Sequence, residues 1–248
     1  MMQTTGKSLG RTAWVVLWAS LWLYGTAGGA WGEILYSINL AGTTNSWLTP
    51  NPAYQTAVGI NGGSLQAAPT VQSDGIGTAD NWAWWDWSPG LVPDEAEYLE
   101  FSFSPAPNYE VVLDSLDCSV FREFMGTGGG PDSFELRLID DGFNTFTTVF
   151  SDNGLPLGIM DYTGGGGISL AGALGTITFP QTVTFRWYFF NPEDTDAAVG
   201  LAKNGADGDA DLVVNGTLTF IPEPAHTSLA LGLAAFLVLL LRRKKRCG

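Results

Sequence analysis

Between Glu33 and Ile221, apolar side chains recur at every second position in run after run. Leu99, Phe101 and Phe103 alternate with Glu100 and Ser102, Phe134, Leu136 and Leu138 with Glu135 and Arg137, and Val183, Phe185 and Trp187 with Thr184 and Arg186. Leu212, Val214, Leu218 and Phe220 keep one parity through the last run. A period of two with polar partners marks a strand with one face in a core and the other in water, as in antiparallel sheets. Turn formers punctuate the runs: Asn61-Gly62-Gly63, Pro105-Ala106-Pro107-Asn108, Gly126 to Pro131, Asp141-Gly142, Asp152-Asn153-Gly154 and Gly164 to Gly167. Many short strands at this spacing predict an all-β fold, an antiparallel β-sandwich or jelly roll. No stretch of helical period in this segment is long enough to compete, and no internal repeat is visible.

The two ends follow a different pattern. Lys7 and Arg11 precede the 12 apolar-rich residues Ala13 to Tyr24, and small residues follow at Gly25, Ala27, Gly28, Gly29 and Ala30. A basic start, a short apolar run and a small-residue exit are the three parts of a secretory signal peptide, with cleavage after Ala27, Ala30 or Gly32 equally arguable. At the other end, Ile221-Pro222-Glu223-Pro224 leads into the 17-residue apolar run Ala225 to Leu241, followed by Arg242-Arg243-Lys244-Lys245-Arg246. Seventeen residues is the lower limit for a helix that spans a bilayer. Basic residues stay on the cytoplasmic side, so both ends are cytoplasmic and the segment between them is exported. The expected organisation is a signal peptide over 1–32, one secreted β-sandwich domain over 33–220 and a membrane-anchoring tail over 221–248.

Charge sharpens this picture. The exported segment carries 24 carboxylates against Arg122, Arg137, Arg186 and Lys203, a net of −20. Such a surface repels phosphate backbones, which excludes nucleic acid as a partner, and suits a soluble secreted protein or one that collects divalent cations. Cys118 is alone in that segment and Cys247 lies beyond the anchor, so no intrachain disulfide forms in the mature topology. Between Leu116 and Val120, Cys118 reads as a small buried hydrophobe.

The order Pro222-Glu223-Pro224, apolar helix, arginine-rich end resembles the PEP-CTERM sorting tail of bacterial surface and exopolysaccharide-associated proteins. The resemblance implies an exosortase, a membrane-embedded cysteine transpeptidase, as the processing partner acting near the motif. It extends more loosely to Tyr98-Leu99-Glu100-Phe101, Gly130-Pro131-Asp132-Ser133-Phe134, Leu136-Arg137, Asp140-Asp141-Gly142-Phe143, Thr184-Phe185-Arg186 and Asp211-Leu212-Val213-Val214-Asn215-Gly216. Ectodomains of that family look like jelly-roll sandwiches of the galactose-binding or lectin-like kind. By this resemblance the chain is inner-membrane anchored before processing, then held in the cell envelope, at the surface or in the extracellular matrix.

Catalytic chemistry finds little footing. The single histidine, His226, lies in the apolar tail run, so neither Ser-His-Asp nor Cys-His machinery, nor a zinc site of the usual type, can form in the exported segment. Carboxylate pairs would suffice for glycoside hydrolysis, but Asp140-Asp141 and Glu193-Asp194 fall in predicted turns, where acidic residues are common anyway. Asp207, Asp209 and Asp211 alternate and could converge on a structural Ca²⁺, a cation wanting six to eight oxygens; the other reading is a solvated acidic turn. An EF-hand is excluded, because position six is Leu212 and position twelve is Leu218. The tracts Gly128 to Gly130 and Gly164 to Gly167 lack a Gly-Lys-Ser/Thr ending and read as flexible loops. Arg137 and Arg186 stand on strands, where they pair with carboxylates or receive a sugar acid.

The densest aromatic stretch is Asn81-Trp82-Ala83-Trp84-Trp85-Asp86-Trp87. In an extended chain Trp82 and Trp84 point one way, Trp85 and Trp87 the other. If the second pair is exposed, sugar faces stack on it, with Asp86 and Asn81 bonding to hydroxyls. The alternative is a loop that buries all four rings. The sequence thus points to a non-catalytic, secreted structural or adhesive protein of the cell surface or exopolysaccharide matrix. A lectin-like carbohydrate-binding module is the alternative, and a glycoside hydrolase a second.

Overall fold

The alternating runs form antiparallel strands whose apolar parities meet in one core. The computed structural model describes residues 32–40, 53–73, 81–126, 128–140, 145–163, 167–203 and 210–222, with Gly232, Leu233, Ala235 and Phe236. The chain divides into two compact units, Met1–Trp31 and Gly32–Gly248, and every described residue lies in the second. The signal-peptide reading therefore falls outside the described residues. So does most of the tail, in which Gly232, Leu233, Ala235 and Phe236 are helical. Among the described residues no helix is long and apolar enough to cross a membrane.

In chain order the strands are β1 (Glu33–Asn39), β2 (Ala53–Thr56), β3 (Ile60–Gly62), β4 (Gln66–Ala67), β5 (Gln72–Ser73), β6 (Asn81–Trp85), β7 (Leu99–Pro105) and β8 (Tyr109–Arg122). There follow β9 (Phe124–Met125), β10 (Gly128–Gly129), β11 (Pro131–Asp140), β12 (Thr145–Asn153), β13 (Gly158–Tyr162) and β14 (Ile168–Ser169). The last are β15 (Ile177–Thr178), β16 (Val183–Pro192), β17 (Val199–Ala202) and β18 (Leu212–Phe220). One sheet runs β2-β1-β18-β8-β17-β6-β5, and β13, β14 and β15 also pair with β8. The other runs β12-β11-β16-β7-β3, with β4 on β7. The two pack face to face as an antiparallel, sandwich-like all-β fold.

Strand β8 is the spine of the larger sheet. Leu116 is paired with Val214 of β18 on one flank and with Ile168 of β14 on the other. Val120 likewise lies between Leu201 of β17 and Met160 of β13. Its core side chains, Val111, Leu113, Leu116, Cys118 and Val120, change parity at Asp114, where β18 skips one residue of β8. That bulge keeps both halves of a 14-residue strand facing the core despite the sheet's twist. Cys118 is fully buried, and loss of solvation, reinforced by Asp117, pushes its thiol up to about 12, so it stays protonated.

The smaller sheet supplies the aromatic half of the core. Phe101 stacks on Tyr36 of the opposite sheet at 4.4 Å between ring centroids and on Phe185 at 4.7 Å, with interplanar angles of 6° and 7°. Tyr54 extends the stack outward from Tyr36 at 5.6 Å. The Tyr36 hydroxyl, buried at the seam, donates to the Gly63 carbonyl at 2.6 Å, which satisfies the polar end of an otherwise apolar contact. Offset parallel rings bury large flat surfaces, so this stack ties β1 to β7 and β16 more strongly than aliphatic contacts of equal length.

Gly128 to Gly130, expected as a flexible loop, is instead buried and packed. Gly128 and Gly129 pair with Met125 and Phe124 in a hairpin. A Cβ on Gly130 would lie 2.6 Å from the Ala198 carbonyl oxygen, so only glycine allows that approach. Asn61 and Gly62, expected in a turn, belong to β3, whereas Pro105 to Asn108 turns the chain as expected, with Asn108 at φ 69°.

Truncating the central ring of the stack gives a direct check on the core. Phe101→Ala is expected to destabilise the fold by about 3–5 kcal/mol, the usual cost of removing a buried aromatic. Urea titration followed by tryptophan fluorescence should show an earlier midpoint with little change in slope.

Candidate functional site

The outward parity of the smaller sheet builds a row of rings and guanidiniums. Glu135 and Arg137 on β11 face Tyr188 and Arg186 on β16, and Glu100 on β7 faces Arg186 from the other side. Arg137 is held between the rings of Phe146 and Tyr188, each centroid 4.4 Å from its guanidinium carbon. Arg186 lies over Tyr98 at 4.0 Å, and Tyr98 is 5.9 Å from Tyr188. The row thus runs Arg186, Tyr98, Tyr188, Arg137, Phe146 across three strands and the loop before β7.

Each guanidinium in this row already has a carboxylate. Arg137 donates from Nε to Glu135 at 2.9 Å and from Nη1 to Glu95, and Arg186 donates from Nε to Glu100 at 2.7 Å. Burial alone would lower the pKa of Arg137, but the hydrogen bonds to Glu95 and Glu135 carry it above its ordinary value. Its charge is therefore permanent. Arg137 is buried, whereas its partner Glu95 is exposed and Glu135 is half-buried, so the ion pairs run from the sheet out to solvent. Desolvation chiefly raises the Tyr188 hydroxyl pKa, and Arg186 opposes the rise. With the guanidiniums satisfied, the face offers neutral ring surface, most of all at Phe146, which is 55% exposed.

The tryptophan stretch folds differently from an even alternation. Strand β6 ends at Trp85, and Asp86 takes φ 67°, a left-handed conformation that resets the parity. Trp84 and Trp87 consequently both enter the core, and the Trp87 indole N–H donates to the Trp84 carbonyl at 2.7 Å. Trp87 also meets Phe189 edge-on at 5.2 Å. The expected exposed pair of Trp85 and Trp87 does not form, because Trp87 is 1% exposed. Trp85 is half-buried, Asp86 is exposed and Asn81 pairs through its backbone with Ala202. The side chain of Trp82 lies outside the described residues.

Of the alternating aspartates, Asp207 and Asp209 lie outside the described residues. Asp211 is buried and accepts the Leu40 backbone N–H at 2.6 Å, while its own N–H donates to Ile38 at 2.8 Å. It closes the end of the β1–β18 ladder. Among the described residues no group of three or more histidines, cysteines or carboxylates is placed to hold a metal ion.

A second polar cluster lies where β11 begins. Arg122, buried, donates from Nε to the Gly130 carbonyl and from Nη1 to the Leu155 carbonyl, both at 2.8 Å. Its Nη2 is 3.3 Å from Glu193, whose other oxygen accepts the Gly129 N–H at 2.9 Å. That backbone bond first, and Arg122 second, hold the Glu193 carboxyl below its ordinary pKa. The arrangement fastens the glycine hairpin to the sandwich and is structural.

The outer row is only partly legible in the sequence. Glu135 and Arg137, Arg186 and Tyr188, and Tyr98 and Glu100 are each two apart and so share a face. Their assembly depends on a register that no single strand contains. Comparison with protein families, with curated proteins and with solved structures gives no match.

The role of Asp211 separates structure from metal binding. Asp211→Ala leaves the Leu40 N–H without its acceptor and is expected to cost about 1–3 kcal/mol. Thermal unfolding should show the same loss in chelator and in excess Ca²⁺. A loss present only with Ca²⁺ would instead make the residue an ion ligand.

Proposed function

We propose that this chain is an exported, non-catalytic structural or adhesive component of the cell surface or exopolysaccharide matrix. It is delivered by a PEP-CTERM-type tail, anchored in the inner membrane until an exosortase processes it. The observation that carries the reading is the ordered tail: Pro222-Glu223-Pro224, the apolar run Ala225 to Leu241, and the basic cluster Arg242 to Arg246. The fold supports it from the other side. Strand β18 ends at Phe220, and Ile221 and Pro222 are exposed, so a cut beyond them removes no residue of the described core. On this reading the sandwich is a jelly roll that persists intact after processing. Replacing Pro222, Glu223 and Pro224 with alanine is expected to leave full-length protein in the inner-membrane fraction with its basic end attached. Normal processing of that variant would reduce the motif to a stalk.

A carbohydrate-binding module is the second reading, favoured by the row of rings on the outer face of the smaller sheet. Sugar C–H faces stack on flat rings, and the exposed Phe146 and half-buried Tyr98 offer them. The guanidiniums are neutralised by Glu95, Glu100 and Glu135, so a neutral glycan suits this face better than a sugar acid. Isothermal titration with a neutral bacterial exopolysaccharide should give binding that Phe146→Ala with Tyr98→Ala removes. Unchanged binding in the folded double variant excludes this face.

A further inference from the structure

We infer that the end of the sandwich from which the tail departs rests on the lipid bilayer while the chain is anchored, with Val58, Phe179, Phe220 and Ile221 at the lipid interface. The inference deepens the anchored-tail reading above and rests on it.

These four side chains are 87%, 51%, 56% and 42% exposed, and they come from three turns or ends remote in sequence. The register brings them together. Phe220 is opposite Tyr109, with their rings 5.3 Å apart, and the Ile221 N–H donates to the Asn108 carbonyl at 2.7 Å. The Tyr109 ring lies against Gly59, where a Cβ would be 2.8 Å from it, so the turn that carries Val58 adjoins the same ring. On the other flank of β8, Thr178 pairs with Glu110, so Phe179 follows level with Tyr109. The Ala106 N–H to Gly59 carbonyl bond, 2.7 Å, holds the turns as one surface.

Charge singles out this end. Residues 57–60, 105–109, 177–182 and 219–222 contain no Asp, Glu, Lys or Arg, in a segment of net charge −20; the nearest carboxylates are Glu110, half-buried one residue inside β8, and Glu223 in the tail. The far end of β16 also exposes apolar residues, Leu91 at 78% and Val92 at 71%, with Phe124 at 59%. There, however, Asp94, Glu123 and Glu193 stand in the same loops, and a carboxylate-rimmed surface is repelled by lipid phosphates. Tether length also selects the uncharged end. Three residues separate Ile221 from Ala225, a reach of at most about 14 Å even when fully extended. A spanning run that starts at Ala225 holds Ile221 within that distance of the hydrocarbon edge. Tyrosine rings such as that of Tyr109 favour that interface, and the apolar surface of Phe179, Phe220 and Val58 withdrawn from water there contributes to binding.

The test is lipid photolabelling of the full chain in phosphatidylcholine vesicles that contain a diazirine-bearing phospholipid, with adducts mapped by mass spectrometry. Adducts are expected within 225–241 and at Val58, Phe179 and Phe220, with Leu91, Val92 and Phe124 at background. Phe179→Asp with Phe220→Asp should lower labelling at Val58 to that background and leave the tail adducts unchanged; persistent labelling at Val58 counts against the inference. Adducts confined to 225–241 in the unaltered chain overturn it while the anchor reading stands. Absence of adducts from 225–241 as well removes the anchor reading. Yield at Val58 that falls as more chains are packed per vesicle assigns the surface to a second copy, and overturns the lipid assignment.

Discussion

The ladder on strand β8 is the constraint from which the other features follow. Its 14 residues hydrogen-bond to β18 and β17 along one flank and to β15, β14 and β13 along the other. A strand paired on both sides has few unsatisfied backbone groups, and its apolar parity is then committed to one face. A one-residue slip would turn Val111, Leu113, Leu116, Cys118 and Val120 outward together. Asp114 absorbs the mismatch between twist and register as a bulge, so the commitment holds over the full length.

Against that strand the second sheet contributes rings in place of disulfides. Cys118 is the one cysteine in the sandwich, so stability rests on burial and on the stack through Tyr36, Phe101 and Phe185. The outer face of the same sheet repeats the device with guanidiniums between rings. Arg137 and Arg186 face each other across β11 and β16, a like-charge pair that would be unfavourable alone. Glu95, Glu135 and Glu100 neutralise it, and the aromatic faces add attraction that water does not screen fully. Arg122, Arg137 and Arg186 are thus engaged in holding the fold, in a segment that carries 24 carboxylates between Glu33 and Ile221.

The polarity of the molecule along its strands bears on placement at a membrane. One end presents carboxylates and a hairpin fastened by Arg122 and Glu193; the other presents uncharged turns around Tyr109 and the chain exit at Ile221. If the tail anchors the chain as proposed, the bilayer meets the end whose described turns carry no charge, so contact there desolvates less than at the other end.

Strand positions were legible in the sequence because burial on one side of a pleated strand demands a period of two. Leu99, Phe101, Phe103, Phe134, Leu136, Leu138, Val183, Phe185 and Trp187 are all buried as their spacing dictates, and so are Leu212 and Val214. Leu218 is only half-buried and Phe220 is exposed, because the last run extends past the core to the end of the sheet. The lone Cys118 was likewise readable as core. Two things were decided only by tertiary structure. The first is backbone conformation at single residues. Asp86 at φ 67° sends Trp87 inward, and Gly128 to Gly130 pack tightly because Ala198 and Arg122 press against them. The second is which strands become neighbours: Arg137 meets Tyr188 and Phe146, and Asp211 meets Leu40 across 171 residues, only through the sheet register. Alternation is a local property, since each residue reports its own face. Pairing partners and left-handed kinks are settled by long-range packing, and no residue's own neighbours in sequence carry that information.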